Sequence, residues 1–162
     1  LTYDDGVPGA MVERLGSAIP HHVQVYFDQV HQACHLRAVN QVSAALAEEV
    51  YEQRMLGARG HAELGHLEER LRAVLGIDQE TVAIELLTET AVAGRLSAAA
   101  IQAIATRNPL PEGAARVEDI VEILVHDGYL EAAGAEYRFL SKLQRDWWRR
   151  RFGATHVPVE GR

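Results

Sequence analysis

The chain has 162 residues, of which 48% are hydrophobic, and its formal net charge is −7. This apolar content is enough for a packed core, and the length allows one domain or two small ones. The negative charge argues against attraction of the whole surface to DNA, RNA or an anionic membrane, although a local basic patch can still act.

The cysteine content and the N-terminal sequence bear on the cellular compartment of the protein. The single cysteine, Cys34, excludes an internal disulfide framework, and the N-terminus lacks the order of basic, apolar and small residues found in signal peptides. No apolar run approaches the roughly 18 residues that span a bilayer. We therefore expect a cytoplasmic protein without membrane contact. Because the sequence begins at Leu1, we also expect it to be a piece of a longer chain.

Apolar residues at helical spacing dominate residues 1–76 and predict a helical, lid-like domain. Pro20 suits the first turn of a helix over 20–35, whose inner face would include Tyr26, Val30 and Cys34. Asn40 is expected to cap a second helix. A third helix is expected to stop at Gly76, where we place a domain boundary.

Residues 77–154 carry shorter elements. Asp78 is expected to cap the first helix of this part, and Ser97 a short second one. A third helix is expected over 116–127. Two short strands follow, joined by a turn at Gly134. Three helices and a hairpin are the winged-helix order.

The predicted fold is therefore mainly α, a helical bundle followed by a winged-helix domain with one small β-hairpin. Residues 155–162 are predicted to form a flexible tail.

The segment 137–152, YRFLSKLQRDWWRRRF, predicts a closing helix that starts at about residue 142. At least one of Trp147 and Trp148 should be buried, because exposure of both would forgo about 2 to 3 kcal/mol each. Six cations against Asp146 give the segment a local charge of +5, and we expect them to form an interaction surface: Arg138, Lys142, Arg145, Arg149, Arg150 and Arg151. Their counterpart can be a partner or the protein's own acidic surface, for instance residues 118–127.

The helix over 116–127 bears on DNA binding. In a DNA-reading winged helix this third helix enters the major groove, where lysine and arginine neutralise phosphates. Here Arg116 stands against four carboxylates, which gives the element a net charge of −3. DNA binding through this helix is therefore disfavoured, and a DNA-binding winged-helix regulator is kept as the alternative.

Catalytic and metal motifs do not emerge from the sequence. The only lysine, Lys142, lies outside any glycine-rich loop, and no G-x-S-x-G, H-E-x-x-H or C-x-x-C motif is present. We therefore expect no catalytic residue and no cofactor in this chain. His31, Cys34 and His35 have a spacing that can bring three metal ligands together. Cys34 also completes an apolar stripe, so we expect a buried thiol between surface histidines and no metal site.

Two stretches carry a resemblance to a known family. ERLGSAIPHHVQVYFDQV, residues 13–30, resembles the segment that follows the nucleotide-binding core in bacterial and archaeal AAA-type (STAND-like) ATPases. LVHDGYLEAAGAEYRFLSKLQRDWWRRRF, residues 124–152, resembles the end of the winged-helix domain that closes the same proteins.

The resemblance implies a non-catalytic regulatory region that couples nucleotide state to winged-helix contacts. An upstream P-loop core would bind ATP or ADP with magnesium, and Gly16, Pro20 and His21 would lie against that nucleotide. The family often has an aromatic residue where this chain has His21, which weakens the case for base stacking. The implied partners are the upstream core and a protein partner or a second copy.

Overall fold

The structure is a computed structural model that describes residues 1–159, apart from the side chains of residues 59 and 63. The fold is mainly helical with a small β-hairpin, as predicted. The chain forms two compact units, one of Leu1–Glu63 with Ser141–Leu143, the other of Leu64–Leu140 with the segment from Gln144 onward. None of the helices in the described part of the chain is both long and apolar enough to cross a membrane.

The first unit contains three helices, α1 (Val7–Leu15), α2 (Pro20–Arg37) and α3 (Ala44–Val50), and two short parallel strands, β1 (Thr2–Tyr3) and β2 (Gln41–Val42). Pro20 begins α2, as predicted, because its fixed φ suits a first helical turn. The inner face of α2 buries Tyr26, Val30 and Cys34. The hydroxyl of Tyr26 donates to the carbonyl of Ala47 at 2.7 Å, which fixes α2 against α3, and burial raises the pKa of Tyr26.

The predicted cap at Asn40 is wrong. Residues Gln41–Val42 pair with β1 as a strand, and α3 begins only after Ser43, whose hydroxyl accepts a hydrogen bond from the amide of Leu46 at 3.2 Å. The carbonyl of Asn40 accepts from the amide of Thr2 instead. The backbone of Asn40 thus belongs to the β1–β2 pairing, and Ser43 is the N-cap of α3.

A π-helical segment, Tyr51–Met55, follows α3 and leads to a crowded turn before α4 (Ala58–Ala93). A Cβ atom on Gly60 would lie 1.5 Å from the carbonyl oxygen of Met55. Since the clash is with backbone, any side chain at position 60 would require this turn to shift.

Gly60→Ala is therefore expected to lower the free energy of unfolding by about 2 to 3 kcal/mol, because the new methyl group displaces the Met55 carbonyl. Gly9→Ala is the matched control, since Gly9 is also helical but a Cβ there would meet nothing within 4 Å. That control is expected to gain about 0.5 to 1 kcal/mol from helix propensity. Urea denaturation measures both, and effects of the same sign would contradict the account.

The second unit contains most of α4, then α5 (Ala98–Arg107), α6 (Ala114–His126) and the strands β3 (Leu130–Ala133) and β4 (Glu136–Phe139). Helix α4 is interrupted at Gly76, whose φ of 75° and ψ of 169° are not helical, at the predicted stop. Ser97 caps α5 through the amide of Ala100, as predicted. The strands pair antiparallel around Gly134, which has a φ of 69°, and Leu96 bridges to Tyr137 of β4.

The core of the second unit follows the helical spacing read from the sequence. Helix α6 buries the four residues that its pattern predicted, Val117, Ile120, Val121 and Leu124. Tyr129 follows α6, and its hydroxyl donates to the carbonyl of Leu67 at 2.8 Å. Burial raises the pKa of Tyr129 to about 12. Three helices and a hairpin thus occur in the predicted order, and their assignment to the winged-helix class stays a prediction.

Helix α7 (Lys142–Phe152) is the last α-helix of the described residues, and a 3-10 turn, Gly153–Thr155, follows it. Both tryptophans are buried, with Trp147 2% exposed and Trp148 0% exposed. The ring of Trp148 lies 5.0 Å from that of Phe152 and 5.7 Å from that of Trp147, centroid to centroid. The expectation that at least one tryptophan is buried is confirmed, and α7 contributes to the core.

The division of the chain into domains of residues 1–76 and 77–154 stays a prediction. The two compact units of the structure have different bounds and need not correspond to these domains. The predicted flexible tail, 155–162, lies partly outside the described residues. Within its described part, His156 and the amide of Val159 both bond to Glu89.

Candidate interaction site

The three residues that the resemblance assigns to nucleotide contact lie in and after the turn between α1 and α2. Gly16 ends α1, Pro20 begins α2, and His21 follows it in the first helical turn. All three are exposed. They therefore share one accessible turn of the first unit, and their contact with nucleotide stays a prediction.

Gly16 also has a structural reason to be glycine. Its φ is +80°, and a Cβ atom there would lie 2.4 Å from Cγ of Lys142 and 2.8 Å from its backbone nitrogen. Next to it, the Lys142 ammonium donates to the carbonyl of Glu13 at 3.2 Å, and the Ser141 hydroxyl donates to the carbonyl of Leu15 at 3.4 Å. The start of α7 therefore packs on the end of α1, and a glycine at position 16 follows from packing alone.

Carboxylates of the second unit already hold several of the predicted basic residues. Arg138 pairs with Glu131 across the hairpin at 2.7 Å, and Arg145 pairs with its neighbour Asp146 at 2.7 Å. Arg151 pairs with Glu68 at 2.7 Å, while Arg149 and Arg150 are exposed.

The counterpart suggested from the sequence, the acidic segment 118–127, takes other cations. Asp119 faces Arg116 at 3.6 Å, and Asp127 faces Arg70 at 3.3 Å. The net charges of α6 and α7 indicate that their residues can form ion pairs. They do not determine which residue pairs with which.

Two carboxylates of helix α6 face no cation among the residues that the structure describes. In the described part of the chain, Glu118 and Glu122 have no ion-pair partner, whereas Arg116 is bound by Glu112 at 3.2 Å as well as by Asp119. Glu118 and Glu122 are exposed and four residues apart, so they project from one face of the helix. The exposed face of α6 therefore presents uncompensated negative charge.

The three residues considered as metal ligands do not share one environment, and His35 among them is exposed. Cys34 is buried, and the His31 imidazole lies 3.0 Å from the hydroxyl of Tyr3. Burial raises the pKa of Tyr3. Among the described residues, no group of three or more His, Cys, Asp or Glu side chains could hold a metal ion.

Helix α4 contains a buried carboxylate, Glu89, that was not predicted from the sequence. Glu89 is 1% exposed, and its carboxylate accepts from the amide of Val159 at 3.0 Å and lies 2.6 Å from the imidazole of His156. Its neighbour Thr88 accepts from the indole nitrogen of Trp148 at 3.2 Å. A signal was present, because Glu89 falls three residues after Leu86 on the apolar face of its helix.

Comparison of the chain with protein-family models, with curated proteins and with solved structures gives no match. The resemblance to AAA-type ATPases therefore stays a prediction, and the function proposed below depends on the chain's own residues together with that resemblance.

Proposed function

We propose that the chain is the non-catalytic C-terminal regulatory and interaction region of a cytoplasmic P-loop ATPase of the AAA or STAND type. In this proposal the first unit meets nucleotide bound to the upstream core through Gly16, Pro20 and His21. Helices α5 and α6 with the hairpin then act as a protein-binding surface.

The observation that carries the protein-binding part is the exposed face of α6. Glu118 and Glu122 lie there without an ion-pair partner in the described chain, and Arg116 is already held by two carboxylates. A DNA-reading helix at this position would meet phosphates spaced along the groove, and each uncompensated carboxylate would oppose binding. A protein partner carries no such uniform charge, so the same face suits protein contact.

The alternative is a DNA-binding winged-helix regulator. The exposed residues Arg149 and Arg150 favour it, because they follow one another on α7 and arginine commonly contacts phosphates. Three other cations of the predicted surface, Arg138, Arg145 and Arg151, are held in ion pairs within the protein. Few positive charges therefore remain for a polyanion.

The coupling role needs two states with different contacts. The exposed turn with Gly16 and Pro20 is where a bound nucleotide would act on the first unit. The close packing of Gly16 against Lys142 links this turn to the first residues of α7. A displacement of the turn would therefore press on the start of α7, which supports a regulatory role for this region.

The test begins with the coding sequence upstream of Leu1, which this proposal predicts to encode the ATPase core. We expect a G-x-x-x-x-G-K-[ST] motif there. We also expect His21→Ala to weaken binding of a fluorescent ADP analogue by about threefold to tenfold, as for the loss of one exposed contact. His35→Ala is the matched control, since His35 is exposed on the same helix and lies outside the turn.

An upstream sequence without a P-loop would contradict the ATPase assignment. A P-loop combined with equal ADP affinities for wild type and His21→Ala would remove His21 from the nucleotide site while leaving the family assignment in place.

A further inference from the structure

A groove lies in the second unit between α5, α6 and the hairpin, with a volume of about 270 Å³. Its floor is apolar, with Ile101 from α5, Val121 from α6 and Tyr137 from β4. Its edge is formed by Glu118 and Glu122 of α6, which have no ion-pair partner within residues 1–159 as described. We call this feature the acidic groove.

The composition of the acidic groove defines what it can bind. Among the described residues that line it, two are carboxylates and none is a lysine or an arginine. Glu118 and Glu122 lie one helical turn apart on the same face, so their carboxylates can act on one cation together. A ligand that fills the groove must therefore bring positive charge to its edge and apolar surface to its floor.

We propose that the acidic groove binds an arginine-bearing segment of a partner protein. The guanidinium group would lie between the carboxylates of Glu118 and Glu122, with its aliphatic stem on Ile101 and on the ring of Tyr137. The inference deepens the proposed function by naming the chemistry of the partner, and it rests on the proposal that this surface contacts protein.

Arginine fits the acidic groove better than the other cationic ligands. Its planar fork offers several N–H donors to two carboxylates at once, and it stacks on an aromatic face, whereas lysine offers a compact point charge. A metal ion would need further ligands, and no described group of three or more His, Cys, Asp or Glu side chains could supply them. A nucleic acid would be repelled at the same edge.

The test follows backbone amide signals of the whole chain by NMR while N-acetyl-Leu-Arg-Leu-amide is added as the probe. We expect selective shifts at residues 101, 118, 122 and 137. The double variant Glu118→Gln/Glu122→Gln is expected to weaken binding of the probe about tenfold, because it removes both charges and keeps the shape. All replaced groups are exposed, so we expect this variant to fold as the wild type does.

The matched control is Glu69→Gln/Asp78→Asn, which makes the same change in net charge at exposed residues of the same unit that do not line the groove. Binding of the probe should be unchanged in this control. An equal loss in both double variants would overturn the inference, because it would show attraction to overall charge.

Three other outcomes are also decisive. Equal shifts with N-acetyl-Leu-Ala-Leu-amide would mean that the groove is only apolar, and shifts of the same amides on raising the protein concentration alone would mean that a second copy fills it. Either result overturns the inference and leaves the proposed function standing. Shifts of α6 amides on addition of a DNA duplex would contradict the proposed function itself.

Discussion

Trp148→Ala is expected to lower the free energy of unfolding by about 3 to 5 kcal/mol. Trp148 is fully buried against Trp147 and Phe152, and its indole nitrogen donates to the hydroxyl of Thr88. Truncation therefore leaves a cavity and removes the donor to a buried hydroxyl. Chemical denaturation followed by circular dichroism measures the change.

Two further variants separate the contributions at this position. Trp148→Phe keeps a ring but loses the bond to Thr88, and we expect about half of the alanine effect. Arg149→Ala, one residue further along α7, removes an exposed side chain and should change the free energy of unfolding by less than about 0.5 kcal/mol. A loss below about 1 kcal/mol in Trp148→Ala would mean that α7 does not contribute to the core.

The second large effect is expected at the buried pair of Glu89 and His156. His156→Ala leaves the carboxylate of Glu89 buried with one partner fewer, and we expect a loss of about 3 to 4 kcal/mol. The side chains of His156 and Glu89 are only 10% and 2% exposed, so water cannot easily replace the lost partner. Urea denaturation at neutral pH measures the change.

A second, exposed pair serves as the control. The side chain of His126 is 89% exposed where it meets Asp127, and His126→Ala should change the free energy of unfolding by less than about 0.5 kcal/mol. A double-mutant cycle with His156→Ala and Glu89→Gln then isolates the interaction energy. A coupling near zero would show that the 2.6 Å contact between His156 and Glu89 adds nothing to stability.

Helices were the most predictable part of the fold, since local periodicity determines which face is buried. Helix α6 buries the four residues that its spacing indicated, and the hairpin turns at Gly134 as expected. The beginning of α3 was not predictable in the same way. Asn40 and Ser43 are both good N-caps, and the pairing of residues 41–42 with a strand nearly forty residues earlier selects between them.

The interaction surface was less predictable than the fold because it depends on contacts between distant residues. The sequence indicates a basic α7 and an acidic α6, but Arg151 meets Glu68, 83 residues away, and Asp127 meets Arg70. Only after these pairings are known does it follow that Glu118 and Glu122 have no ion-pair partner in the described part of the chain. The acidic groove likewise exists only once α5, α6 and β4 have packed together.

The most direct test of the central claim, that this chain contacts a protein and not DNA, is fluorescence anisotropy with a labelled DNA duplex at about 50 mM salt, where electrostatic binding is strongest. The account predicts no saturable binding by the wild-type chain. It also predicts weak, salt-dependent binding by Glu118→Lys/Glu122→Lys, which reverses the charge of the exposed face of α6. Tight duplex binding by the wild type that is lost in Arg149→Glu/Arg150→Glu would contradict the account.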